Sequence, residues 1–180
     1  MILSDQEIIQ QIKSGSIVIE PFRQSSLGTN SYDVHLGKTL AVYTSEILDA
    51  KAENAIRHFD IPSDGYVLRP DILYLGVTEE YTETHRHVPF LEGKSSVGRL
   101  GIDIHATAGK GDIGFKNFWT LEISVKMPVR IYAGMPVGQI IYFEVKGDVL
   151  TPYNLKQTAK YNEVSPLPRE SQMWRNFLAR

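Results

Sequence analysis

The chain has 180 residues, 42% of them hydrophobic, with a formal net charge of −2 and no cysteine. That balance suits one soluble domain with a sizeable core and supplies no general basic field for nucleic acid. The missing cysteines exclude disulfides, thiolate nucleophiles and every zinc site built on Cys, including that of the zinc-dependent nucleobase deaminases. No apolar run approaches the ~20 residues of a membrane helix. The start, MILSDQEIIQQ, has acidic and polar residues too early for a signal peptide, so a cytoplasmic location is expected.

Ser4 to Glu7 reads as a capping box, with Ser4 the N-cap of a helix carrying Ile8, Ile9 and Ile12 and ending at Gly15. The signals then turn to β. Short apolar or alternating runs predict strands at 17–20, 31–36, 40–43, 66–68, 73–77, 119–125 and 137–143, separated by Gly, Pro, Asn and Asp. Residues 49–58, DAKAENAIRH, read as a loop or a short helix. Residues 102–107 alternate as a further strand, with His105 on the face of Asp103 and Thr107. The tail from Ser165 opens with prolines and predicts a closing helix with Met173, Trp174 and Phe177 as a packing stripe. The expected architecture is a single mainly β domain over residues 1–180, a barrel or sandwich with a short helix at each end.

In WTLEISV, alternation puts Trp119, Leu121, Ile123 and Val125 on one face and Thr120, Glu122 and Ser124 on the other. Glu122 is therefore either a solvated strand residue or a buried acid with a chemical role. Upstream, Gly93 to Arg99 groups Lys94, Ser95, Ser96 and Arg99 around two glycines. Backbone donors, hydroxyls and two cations suit a phosphate, yet the spacing is not that of a Walker A loop, and a capped surface turn fits equally. Gly109, Gly111 and Gly114 mark a tight turn containing Lys110 and Asp112. His85 and His87 form an H-x-H pair without an evident third ligand.

Three stretches together resemble the dCTP deaminase branch of the dUTPase superfamily: SYDVHLG at 31–37, GKSSVGRLG at 93–101, and HATAGKGDIGF from His105, followed by TLEI ending at Ile123. The opening MILSDQEI, with Tyr153 and the pair Lys160-Tyr161, supports the likeness, which runs from Met1 to about Pro168. It implies a dUTPase-like distorted β-barrel or jelly roll whose segment from about residue 150 to 180 covers the nucleotide. It also implies a proton-shuttling role for Glu122 in attack of water on C4 of cytosine. Ser95, Arg99 and the carbonyl of Ala108 would orient that water and the base. Lys94, Ser95, Ser96, Tyr153 and Lys160 would contact phosphates. Asp112 would lie near the sugar and α-phosphate, and Thr120 and Leu121 would offer main-chain contacts to the base. No zinc is implied, and Mg²⁺ would arrive through the phosphate oxygens. The implied partners are dCTP, also dUTP, dTTP as a regulator, and two further copies in a homotrimer with shared sites.

The chain departs from the family pattern at several positions. Lys110 stands where an Arg or an aromatic is usual, Asn117 and Phe118 replace a Gly-containing turn, and Val164 after Glu163 stands at a usual Gln. Because Glu122 stands in its T-L-E context and the glycine-rich C-terminal arm of ordinary dUTPases is missing, deamination of dCTP to dUTP comes first. A bifunctional enzyme giving dUMP and pyrophosphate comes second, and a dUTPase using Asp112 third. The reading from another class is a trimeric nucleotide-binding β-domain without chemistry.

Overall fold

The computed structural model describes residues 1–178, so the last two residues of the expected tail lie outside it. Helix α1 (Asp5–Lys13) begins as its sequence requires: the Ser4 Oγ accepts the amide of Glu7 at 3.3 Å. Asp5 and Glu7 sit in its first turn and Lys13 in its last, each sign matched to the helix dipole. Ile8 is its fully buried contact with the core. The strands follow in order: β1 (Ile17–Glu20), β2 (Tyr32–His35), β3 (Thr39–Tyr43), β4 (Ile56–Asp60), β5 (Tyr66–Leu68), β6 (Tyr74–Thr84) and β7 (His87–Gly93). After the short helix α2 (Ser95–Gly98) come β8 (Ile102–Asp103), β9 (Lys116–Val125), β10 (Val129–Ile131) and β11 (Pro136–Glu144).

A six-stranded sheet runs β4-β3-β6-β9-β8, with β1 also paired to β6. A three-stranded sheet runs β2-β11-β7, and β5 pairs with β10. All the strand pairs are antiparallel. The core includes Tyr32, Leu36, Leu40, Leu68, Tyr74, Leu121, Ile123, Ile140 and Tyr142, each at 2% exposure or less. Each such aliphatic side chain contributes roughly 1.5–3 kcal/mol by leaving water. Truncating Leu121 to Ala at the centre of β9 would cost about 2–5 kcal/mol. This is the mainly β fold expected, and β9 alternates as read, with Trp119, Leu121, Ile123 and Val125 buried and Thr120, Glu122 and Ser124 half-buried.

Three local readings need correction. Residues 49–54 form a turn in which the Asp49 carboxylate accepts the Lys51 amide and the Asn54 side chain closes on Asp49. The chain then enters β4 at Ile56, where pairing along β3 overrides the charged composition. Residues 102–107 do not form one strand: only Ile102 and Asp103 pair with β9. From His105 the chain turns to β7, where the His105 Nε2–H donates to the Leu91 carbonyl at 2.9 Å. The tail ends in 3₁₀ turns, the last at Met173–Phe177, with no buried residue. Met173 and Phe177 remain exposed while Trp174 is half-buried, so the expected packing stripe forms only in part. Strands β7 and β10 had no sequence prediction, because Pro89 and a short length disguise them.

Candidate active site

A cleft of about 540 Å³ opens between β9, the loop 108–112 and the tail. Its wall and floor include Glu122, Thr120, Ala108, Lys110, Asp112 and Tyr153, all singled out from the sequence, together with Tyr161 of the supporting pair. Glu122 sits opposite Leu75 of β6, and its amide donates to the Ile104 carbonyl at 2.9 Å. The strand thereby fixes the carboxylate while the backbone remains paired. Burial pushes the Glu122 carboxyl above the usual glutamate range, and the nearby His105 opposes that shift. A carboxyl raised in this direction takes up a proton more readily than an exposed glutamate, which suits it to general acid–base catalysis.

The loop that brings Ala108 and Asp112 to the cleft is zipped to β7. The Leu91 amide donates to the Gly109 carbonyl at 2.7 Å, and the Gly111 amide to the Pro89 carbonyl at 2.8 Å. A Cβ on Gly109 would lie 2.4 Å from the Leu91 carbonyl oxygen, and one on Gly111 would lie 2.7 Å from the Trp119 ring. The glycines therefore serve close backbone packing. Asp112 is half exposed and pairs with Lys110 Nζ at 2.6 Å on the cleft lip. Phe115 packs on Trp119 at 4.8 Å and faces Tyr153 at 6.1 Å between ring centres. The Tyr153 amide donates to the Ile113 carbonyl at 2.7 Å, docking the start of the tail on this loop.

The tail then crosses the cleft. The Tyr161 amide donates to the Tyr153 hydroxyl at 3.1 Å, and the Arg169 amide to the Thr120 Oγ1 at 3.2 Å. Burial raises the Tyr161 phenol, with the Glu122 charge contributing in the same direction. Tyr43 and Arg169 also line the cleft. Neither had a sequence prediction, because each arrives from an element remote in the chain.

The remaining expected residues lie elsewhere in the single chain. Ser95 and Ser96 are the first residues of the short helix α2, with Lys94 in the N-cap position and no side-chain cap. Ser95, Ser96 and Arg99 are exposed and do not line the cleft. Lys94 forms an ion pair with Asp33 across to β2. Lys160 lies in the tail, half-buried, and is not a lining residue. Leu121 buries its side chain completely and is not a lining residue.

Among the described residues, His35, Glu79 and Glu80 could group around a metal ion. Arg23 already joins them, its guanidinium reaching Glu79 at 2.8 Å and Glu80 at 2.9 Å, while His35 Nδ1 meets Glu80 at 2.6 Å. The group lies outside the cleft lining and ties β2 to β6. His85 pairs with Glu83 at 3.0 Å, and burial lowers the pKa of His87. No described helix is long and apolar enough to cross a membrane.

A half-buried carboxyl raised by burial and a second carboxylate on the lip line one cleft with aromatic walls, an arrangement suited to hydrolytic chemistry on a small ligand. The model of the dCTP deaminase-like family matches residues 2–145, and the chain belongs to that family. It is 46% identical over 178 residues, 99% of both chains, to a Clostridium acetobutylicum protein named "dCTP deaminase, dUMP-forming". A Leptospira biflexa protein of the same name is 50% identical over 149 residues, 83% of this chain and 85% of that one. Among solved structures, the 2'-deoxycytidine 5'-triphosphate deaminase from Agrobacterium tumefaciens superposes with a TM-score of 0.63 at 22% identity. That alignment covers 78% of this chain and 47% of the other, and it shows a shared fold.

Proposed function

We propose that the protein deaminates dCTP and then hydrolyses the resulting triphosphate, giving dUMP, pyrophosphate and ammonia. The observation that carries this reading is that Glu122, raised by burial, and Asp112 line one cleft. The dUMP-forming names of relatives at 46% and 50% identity favour it over a deaminase that stops at dUTP. They reverse the ranking of these two activities drawn from the sequence alone. The raised Glu122 in a cleft also speaks against a dUTPase without deaminase chemistry and against a non-catalytic binding domain.

In the first step Glu122 takes a proton from water, and the oxygen bonds to C4 of cytosine. The tetrahedral carbon then expels its amino group as ammonia, with the Glu122 proton transferred to the leaving nitrogen. The fixed carbonyl of Ala108 accepts a hydrogen bond from the attacking water, and main-chain groups at Thr120 and Leu121 hold the pyrimidine edge. In the second step Asp112 accepts a proton from another water that attacks the α-phosphorus, and pyrophosphate departs. Lys110, paired with Asp112, offers a cation to the phosphate chain. Asp112 is a hard oxygen donor on an open lip, which fits hydrated Mg²⁺ carried on the phosphates. That ion would neutralise phosphate charge.

The cleft of one chain lacks Lys94, Ser95, Ser96 and Arg99. Exposure of Ser95, Ser96 and Arg99 on α2 supports a homotrimer in which α2 of one subunit reaches the cleft of the next. There Ser95 would orient the attacking water, Arg99 would stabilise ionised Glu122, and Lys94 and Ser96 would join Tyr153 and Lys160 on the phosphates. dTTP is the regulator this reading carries with it, as a nucleotide of the same shape. Incubation with dCTP and Mg²⁺, with chromatography of the products and an ammonia assay, tests the proposal. Equal amounts of dUMP, pyrophosphate and ammonia are expected; accumulation of dUTP as the end product would contradict it.

A further inference from the structure

Asn117 sits at the start of β9 with 5% exposure, and its amide is fully engaged. The Nδ2 donates to the carbonyls of Tyr161 at 3.1 Å and Glu163 at 2.9 Å. The Oδ1 accepts from the amides of Ser165 and Phe118, both at 2.9 Å. Both donors and both acceptor sites are used, so the orientation of the amide is fixed by its neighbours. Three of the four partners belong to the tail segment 161–165. All are backbone groups, so Asn117 substitutes for a paired strand along a segment that has none.

The bound segment follows Lys160, contains Tyr161 and Glu163, and precedes Arg169, whose amide bonds to Thr120. Glu163 turns its carboxylate outward to Arg169 at 2.5 Å, 83% exposed, so the charge is directed away from the clamp. The clamp thus joins the strand bearing Thr120 and Glu122 to the wall of the cleft. We propose that Asn117 is a positioning residue: it docks segment 161–165 and thereby presents Tyr161, Lys160 and Tyr153 to the nucleotide. This rests on the nucleotide reading above. Without the clamp, binding must also order the tail, and that cost falls on affinity and not on the bond-making step.

The test is Asn117→Asp, which keeps the shape but replaces the NH₂ group and its two donors with one oxygen facing two carbonyls, with Asn117→Ala as the variant that introduces no charge. Trypsin cleavage after Lys160 and Arg169 in the ligand-free protein reports docking of the tail directly. Both variants are expected to be cut roughly tenfold faster or more, because buried donors or acceptors lose their partners. The KM for dCTP is expected to rise about tenfold with kcat held within about twofold, since affinity alone is affected. Unchanged cleavage and unchanged KM would overturn the proposal, as would a fall in kcat at constant KM. If the parent protein fails to turn over dCTP, the functional reading fails, while the cleavage rates still decide whether Asn117 holds the tail.

Discussion

Replacing Glu122 with Gln isolates the proton that the deamination step needs. The side chains are isosteric, and the Glu122 amide bond to Ile104 belongs to the backbone, so β9 keeps its pairing. What is lost is a group that accepts a proton from water and returns it to the leaving nitrogen. A positioned general acid–base contributes ~10²–10⁴-fold, which corresponds to about 3–5 kcal/mol of barrier. Ammonia release from dCTP should fall by that factor, while dCTP affinity by calorimetry stays within about threefold, because the neutral amide binds ground-state ligand nearly as well. Hydrolysis of added dUTP should persist, because Asp112 is untouched. Stability offers an independent check. The folded protein holds the Glu122 proton more tightly than the unfolded chain, so stability falls as pH rises from the ordinary glutamate range through the raised value. Gln removes that loss, and the variant should melt no lower than the parent at pH 7.5. Ammonia release within about twofold of the parent rate would refute the role given to Glu122.

Asp112→Asn should stop pyrophosphate release and leave deamination running, so that dUTP accumulates from dCTP on chromatography. Gly109→Ala forces a Cβ to 2.4 Å from the Leu91 carbonyl oxygen and should lower unfolding free energy by about 1–3 kcal/mol in a urea titration, with loss of both activities. Coexpression of Glu122→Gln and Arg99→Ala subunits, each inactive alone, should restore about a quarter of the parent deaminase activity, because random mixing in a trimer pairs an intact Glu122 with an intact Arg99 at that frequency. No recovery in proven mixed trimers would mean that α2 serves its own subunit.

The sequence was most informative where local pattern and chemistry coincide. The Ser4 cap, the alternation of WTLEISV and the glycine spacing of 109–114 each specify a backbone shape that the structure adopts. Glu122 could not be decided by alternation alone. The tail, far along the chain, folds across that face, with the Arg169 amide bonded to the Thr120 Oγ1. For the same reason Tyr43, Arg169 and the clamp at Asn117 were not legible as site residues. Asn117 was visible only as a departure from a glycine-containing pattern, and its hydrogen bonds depend on a tail segment without periodicity. The β4 and β8 discrepancies have one cause: neighbouring strands supply or withhold partners, and pairing outweighs local composition.

Conversion of dCTP to dUMP at one site requires two waters activated in succession, one beside Glu122 and one beside Asp112 in the function proposed above. The most direct measurement is mass spectrometry of the products formed from dCTP in ¹⁸O-water. The expected product is dUMP carrying one ¹⁸O on the uracil ring and one on its phosphate, with unlabelled pyrophosphate. dUTP carrying a single ring label as the final product, or label found in pyrophosphate in place of dUMP, would contradict it.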